Sequence, residues 1–438
     1  MLTAFATYTV PGKVNSPHCR RTRSFVAPTY EKLSISAADQ QALLFSSAQG
    51  HQQQDLEQDI LAWESLLAPE ETAARDAVRA WVDARFAPRI TEAHRRGAFP
   101  RDLIPELAEL GVFGASLQGY GCAGMSSVAY GLVMQELERG DSALRSLCSV
   151  QGSLVMHAIH AFGSPEQRER WLPALAQGKL IGCFALTESS AGSDPAAMAA
   201  TARRDGDAYM LEGEKAWITN APIADLAVVF AKVADEDGRV RAFVVERGPG
   251  LEVHSVEGKL SLRASPTGNI LLAAARGALL PGSGGLKSAL QCLTQAREGI
   301  AWGVTGAAMD CFEAALDYGA HRQVFGRPLA SRQLFQERLA TMAQSIVTSQ
   351  LMSLHFGRLK DQGRLTPVQV SLHKRHNVAA ARRVASDARA MLGANGIIDT
   401  NKVMRHLMNL ESVYTYEGTD DVHALAVGRA LTGISAFS

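Results

Sequence analysis

No stretch of this 438-residue chain reaches the roughly 18 apolar residues that a membrane helix needs, so no membrane span is expected. The longest apolar runs, such as "LAVVF" and "ILLAAA", are strand-sized. An excess of one charge is also missing. Forty-four basic residues meet 44 acidic ones, which leaves no overall pull toward nucleic acid. Cysteine is sparse: Cys19, Cys122, Cys148, Cys183, Cys292 and Cys311 form no CxxC and no metal-ligand spacing. They read as free thiols in a reducing compartment. No G-x-G-x-x-G follows a strand, so a nicotinamide site has no support. "PGSGGLKS" at 281–288 misses the P-loop spacing. His157/His160 and His373/His376 are spaced for one helix face, but no Cys or acidic partners converge on them. They read as helix-face histidines, and no metal is expected.

At roughly 100–200 residues per domain, the length suggests two or three domains. Residues 1–58 stand apart. Glu31 is the first acid, while Lys13, Arg20, Arg21 and Arg23 precede it, and Ser and Thr are frequent. This composition fits a disordered tail or an organellar transit peptide. Residues 59–180 carry helical patterning. "APEETAARDAVRAWVDARFAPRI" opens with Pro and acids, as a helix start should. "SVAYGLVMQELERG" stops at Gly140 and "SPEQRERWLPALAQG" at Gly178. From 181 to 285 the runs shorten and become β-rich, with "DEDGR" at 235–239 shaped for a hairpin tip; a compact β domain with antiparallel hairpins is expected. From 286 to 438 three long amphipathic segments predict a helical bundle. The fold class is α+β, mainly α, with helical domains at both ends.

Five short segments carry chemistry. "FALTESSAGSDPAAM" (184–198) leaves a strand for a turn of hydroxyls and free N–H groups, suited to a flavin, a phosphate or simply a polar turn. "KAWITN" places Trp217 and Thr219 on one strand face, where an indole packs against a cofactor ring or enters the core. "HRQVFGRPL" breaks a helix at Gly326 and Pro328 beside Arg322, a residue able to hold phosphate. "AMLGANGI" ends a helix in a Gly-Ala-Asn-Gly turn. "YEGT" sets Glu417 between Tyr416 and Gly418, unusual company for a surface carboxylate.

In this order, "LTESSAGSD", "WITN", "RQVFG", "GANG" and "YEGT" resemble the acyl-CoA dehydrogenase family, over about 59–438. Within it, "ERGDSALRS", "KLSLRAS" and "AREGIAWGV" look most similar to the glutaryl-CoA dehydrogenases. The resemblance implies an N-terminal helical domain, a middle β domain and a C-terminal four-helix bundle. It implies non-covalent FAD, a homotetramer, and electron-transferring flavoprotein as acceptor. Glu417 then matches the base that removes the α-proton of an acyl-CoA. Its own N–H, freed for close approach by Gly418, polarises the thioester. FAD contacts fall on Phe184, Leu186, Thr187, Gly192, Ser193, Trp217, Ile218, Thr219, Arg322, Phe325, Gln333, Ala390, Met391, Leu392, Gly393, Ala394, Thr419 and Phe437. Arg322 and the 390–394 turn would reach a neighbouring subunit's FAD. Ser193 and Arg297 would face CoA. Arg145, Ser146, Ser149, Glu138 and Tyr416 match the network that receives a distal carboxylate. Taken without the resemblance, Arg145 reads as a surface or helix-end salt bridge.

Two positions depart from the family pattern. Ser189 stands where Pro is usual and Ala394 where Gly is usual, so Ala394 needs a negative φ.

The implied reaction is oxidative decarboxylation of glutaryl-CoA to crotonyl-CoA and CO2. Alternatives are a dehydrogenase or oxidase of neutral short-chain acyl-CoA, and a non-catalytic helical binding protein. An Ala-rich composition leans toward a bacterial cytoplasm; a transit peptide at 1–58 would place the protein in the mitochondrial matrix.

Overall fold

The computed structural model describes residues 62–437, so the expectations for 1–58 lie outside the described residues. The chain divides into two units after Trp63, and the second carries the fold.

Helices come first, and their starts are written locally. α1 (Pro69–Trp81) has Pro69 in its first turn with Glu70 and Glu71, acids that complement the helix dipole. α2 (Ala87–Arg96) and α3 (Ile104–Glu109) follow. α4 (Ser127–Gly140) is capped by Ser126. α5 (Ser142–Ser149) is capped by Asp141, whose Oδ1 accepts from the Ala143 N–H at 2.8 Å. α6 (His157–Phe162) leads to α7 (Pro165–Ala176), which opens with a Ser164/Gln167 capping box. Gly178 then takes a left-handed turn, φ +65°.

Seven strands follow: β1 (Gly182–Ala185), β2 (Thr201–Asp205), β3 (Ala208–Thr219), β4 (Leu226–Val233), β5 (Arg239–Glu246), β6 (Leu251–Ser255) and β7 (Thr267–Leu279). The hairpin expectation holds for β2–β3 and β4–β5, with Asp237 and Gly238 at positive φ in the 235–239 tip. It misses two parallel pairings, β1 with β4 and β2 with β4. Hairpins announce themselves through a tight turn, whereas parallel partners are joined by long crossovers that leave no local signal. Because β5 pairs with both β4 and β7, the strands close on themselves around a core that includes Leu211, Val229, Phe243 and Leu272.

The last third is helical: α8 (Leu286–His321), α9 (Gln333–Asp361), α10 (Pro367–Met391), α11 (Lys402–Thr415) and α12 (Asp420–Thr432). Between α8 and α9 the expected break is a small hairpin of β8 (Gln323–Val324) and β9 (Arg327–Pro328), turned by Phe325 and Gly326 at positive φ. Glycines let α8 lie close against α4. A Cβ on Gly306 would sit 1.9 Å from the Gln135 carbonyl oxygen, and one on Gly303 would sit 2.2 Å from Glu138 Oε2. No helix among the described residues is long and apolar enough to cross a membrane.

Candidate active site

The elbow between α11 and α12 consists of Tyr416, Glu417, Gly418 and Thr419. Thr419 caps α12, its Oγ1 accepting from the Val422 N–H at 3.2 Å. Glu417 is held at φ +53°. A bulky residue in that region costs about 1–3 kcal/mol, and such strain concentrates at functional sites. Gly418 follows at φ +93°, and a Cβ there would come 2.8 Å from His423 Nε2. The close approach foreseen for Gly418 is therefore toward His423 as well.

Three cations surround the Glu417 carboxylate. Arg297 on α8 donates from Nε to the Glu417 carbonyl at 2.7 Å. Lys374 on α10 donates to the Tyr416 carbonyl and, at 2.7 Å, to that of Gly418. Arg145 on α5 contributes its field from beyond Tyr416. Burial raises the Glu417 carboxyl above its ordinary value, and the positive neighbours Lys374, Arg145 and Arg297 partly offset it. Glu417 Oε2 is enclosed with no hydrogen-bond partner. Among the described residues its N–H also has no acceptor. A carboxylate oxygen and an N–H, both unpaired, suit a base and an oxyanion donor for one thioester.

Arg145 is not a surface residue; it is 1% exposed. Its Nε donates to Glu138 Oε2 at 2.7 Å and its Nη2 to the Tyr416 hydroxyl, and Ser146 Oγ lies 3.4 Å from the same hydroxyl. Burial pulls the guanidinium pKa down, but Glu138 and Tyr416 more than compensate and raise it. Burial likewise pushes the Tyr416 phenol up to about 12, so it stays neutral. Ser149 is buried one turn beyond Arg145. The Arg145 helix and the base elbow are tied together by Asp141. It caps α5 and accepts at 3.0 Å from both Arg405 Nε and Asn409 Nδ2 of α11.

The β domain supplies the other wall. Trp217 lies near the end of β3 at φ +61°, within a register irregularity between Lys215 and Ile218, with its N–H donating to Asn269 Oδ1 at 3.1 Å. It is 63% exposed, so it is not a core residue. Ile218 is buried and Thr219 half-buried. The Thr187 carbonyl accepts from the Ala216 N–H at 2.9 Å, which sets the 184–193 loop beside Trp217. In that loop Phe184 packs against Phe230 and Leu186 is buried, while Gly192 and Ser193 are exposed. The loop is pinned by Glu188, which accepts from the Ala199 and Ala200 N–H groups and, at 2.8 Å, from Lys215 Nζ. An exposed indole locked by its backbone, beside the hydroxyls of Thr187, Thr219 and Ser193, suits a flavin ring. Replacing Glu188 with Ala leaves Lys215, 0% exposed, without its carboxylate. We expect about 3–5 kcal/mol of lost stability and less flavin retained on purification, read by calorimetry and absorbance.

The remaining residues form a separate group. Arg322 caps the far end of α8; it lies 25 positions after Arg297, so the two stand roughly 37 Å apart along the helix. Phe325 is 93% exposed on the β8–β9 turn, and Gln333 opens α9. Asn395, beside the 390–394 turn, donates to the Tyr318 hydroxyl at 3.1 Å, which places that turn at the same end. There Met391 and Leu392 are buried and Ala390, Gly393 and Ala394 exposed. The positive φ falls on Gly393, so Ala394 is spared the left-handed region. Phe437 lies exposed beyond α12. Within one chain Arg322 and the 390–394 turn do not join Glu417.

Sequence reasoning missed Lys374 and the Glu188–Lys215 pair. Lys374 sits inside "SLHKRHN", a stretch of a long helix where nothing distinguishes one basic residue from the next.

Three family profiles match the chain: the acyl-CoA dehydrogenase N-terminal domain at residues 68–179, the middle domain at 183–274 and the C-terminal domain at 283–432. A mitochondrial short-chain specific acyl-CoA dehydrogenase of Bos taurus is 33% identical over 361 residues, 81% of this chain and 88% of the relative. A solved glutaryl-CoA dehydrogenase from Mycobacterium smegmatis is 50% identical with a TM-score of 0.85, over 87% of this chain and 99% of that one. A second structure of a glutaryl-CoA dehydrogenase from that organism, in complex with FADH2, is 45% identical with a TM-score of 0.84, over 86% and 97% of the two chains. The chain belongs to the acyl-CoA dehydrogenase family, whose cofactor is FAD.

Proposed function

We propose that this enzyme oxidises and decarboxylates glutaryl-CoA to crotonyl-CoA and CO2. The observation that carries the reading is Arg145, a buried cation joined through Tyr416 to the segment that bears Glu417. A neutral acyl chain has no use for a buried guanidinium, whereas a distal carboxylate entering an apolar pocket requires one. Glu138 holds that guanidinium in place, with its second oxygen, Oε1, enclosed and unpartnered.

Glu417 takes the α-proton, and its N–H donates a hydrogen bond to the thioester oxygen as negative charge develops there. Trp217 and the 184–193 loop would hold FAD, which when bound would supply the acceptor for the hydride that leaves the β-carbon. Arg145 then keeps the distal carboxylate in line as its C–C bond breaks to release CO2. Protonated Glu417 returns its proton to the resulting dienolate. Arg297, anchored on the Glu417 carbonyl, lies on the CoA side.

The outlying group at Arg322 and 390–394, with Phe325, Leu334, Ile397 and Leu431 exposed, supports completion of a neighbouring subunit's FAD site in a homotetramer. Electron-transferring flavoprotein is the proposed electron acceptor. A second reading, oxidation of a neutral short-chain acyl-CoA, draws support from the Bos taurus relative. The two separate on the rate of flavin reduction by glutaryl-CoA and butyryl-CoA. We expect glutaryl-CoA to win by at least about tenfold, and the reverse order would transfer the assignment to neutral substrates.

A further inference from the structure

Lys374 has no place in the chemistry above, yet it is 2% exposed at the centre of the site. Its Nζ donates to the Tyr416 and Gly418 carbonyls and lies 5.7 Å from the centroid of the Tyr416 ring. Those two carbonyls flank Glu417, and Arg297 takes the one between them. Two buried cations from two helices thus hold three successive carbonyls, which fixes the elbow with Glu417 at positive φ.

An ammonium is a costly way to satisfy two carbonyls, because backbone N–H groups would do so without burying a charge. Burial pulls the Lys374 ammonium down to about 7, with Glu417 partly holding it up, so the charge is present on the acid side of neutrality and calls for a reason of its own. Lys374 forms no ion pair with Glu417 among the described residues; its contacts in the elbow are carbonyls and a ring. A cation bonded directly to the carboxylate would occupy the lone pairs needed for proton abstraction. One bonded to the flanking carbonyls favours the ionised carboxylate through space and leaves Oε2 open.

Arg145 and Arg297 act on Glu417 in the same direction, but the contribution of Lys374 is the largest of the three. Arg145 on α5 is matched by Glu138 on α4. Arg297 on α8 is engaged with the Glu417 carbonyl. His423 on α12 is pulled down to about 3 by burial and stays neutral, as does Tyr130 on α4, pushed up to about 12. Asp420 on α12 pairs with Arg375 at 3.3 Å.

Resting on the reading of Glu417 as the base, we propose that Lys374 is a positioning residue that locks the Tyr416–Gly418 elbow and keeps Glu417 ionised before substrate arrives. The test uses the FAD-loaded enzyme and whichever acyl-CoA bleaches wild-type flavin fastest, with flavin reduction followed across pH. In K374M the acid limb of kcat/KM moves up by about one pH unit or more, an approximately tenfold loss below the limb that shrinks as pH rises. Flavin content and melting temperature serve as the structural readout. K374R, which keeps the charge, leaves the limb near its wild-type position. Should K374M not fold, K374Q is expected to show the same upward displacement. A neutral variant whose loss is equal at every pH, with the limb unmoved, overturns the proposal and leaves Lys374 a structural brace. Failure of the underlying reading looks different: Glu417→Gln would then turn over at near-normal rates, whatever Lys374 does.

Discussion

Glu417→Gln is expected to keep its bound FAD and lose turnover by about 10²–10⁴-fold, the range associated with general base catalysis. The variant is nearly isosteric, and Glu417 Oε2 has no hydrogen-bond partner to lose, so the melting temperature should barely change. An amide at this position cannot accept the α-proton. The wild-type pH dependence follows from the same group. Burial raises the carboxyl above the usual 4.5, so the competent carboxylate is fully present well above the raised value and disappears as pH falls through it. Flavin bleaching by substrate should therefore weaken toward acid, and earlier than for an exposed glutamate. Bleaching of the Gln variant at a rate within a few-fold of wild type would take the role away from Glu417.

The second large effect is selective. Arg145→Ala should lower kcat/KM for glutaryl-CoA by about 100-fold or more, since a distal carboxylate would then enter the pocket unpaired. For butyryl-CoA the loss should be far smaller. The simple variant also strands Glu138, 0% exposed, and breaking a buried pair costs about 3–5 kcal/mol on its own. A double variant, Arg145→Met with Glu138→Gln, removes both charges and separates recognition from folding. Equal losses for the two substrates in the double variant would show that Arg145 supports the fold rather than reading a carboxylate.

Much of this was written in the sequence, but unevenly. Helix starts at Pro69 and Ser164 were legible because caps and N-terminal prolines act within one turn. The 235–239 hairpin tip was legible for the same reason. Pairing of β1 with β4 was not, because its partners are joined by a crossover of about forty residues. Glu417 stood out through its neighbours Tyr416 and Gly418 in a string matching other segments in order. The burial of Arg145 could not be read from "DSALRS": it depends on Glu138 lying under Gly303, a glycine 158 positions away on another helix. Lys374 is the extreme case. Its partners are backbone carbonyls, which carry no residue identity, so no motif could have announced it.

The most direct test of the central claim is one anaerobic mixing of the purified flavin-loaded enzyme with glutaryl-CoA, followed by mass spectrometry of the CoA products. Bleached flavin together with crotonyl-CoA is the predicted outcome, and it joins proton abstraction by Glu417, carboxylate recognition by Arg145 and loss of CO2 in one result. Bleached flavin with glutaconyl-CoA alone would contradict the decarboxylation, and flavin left unbleached by glutaryl-CoA would contradict the substrate.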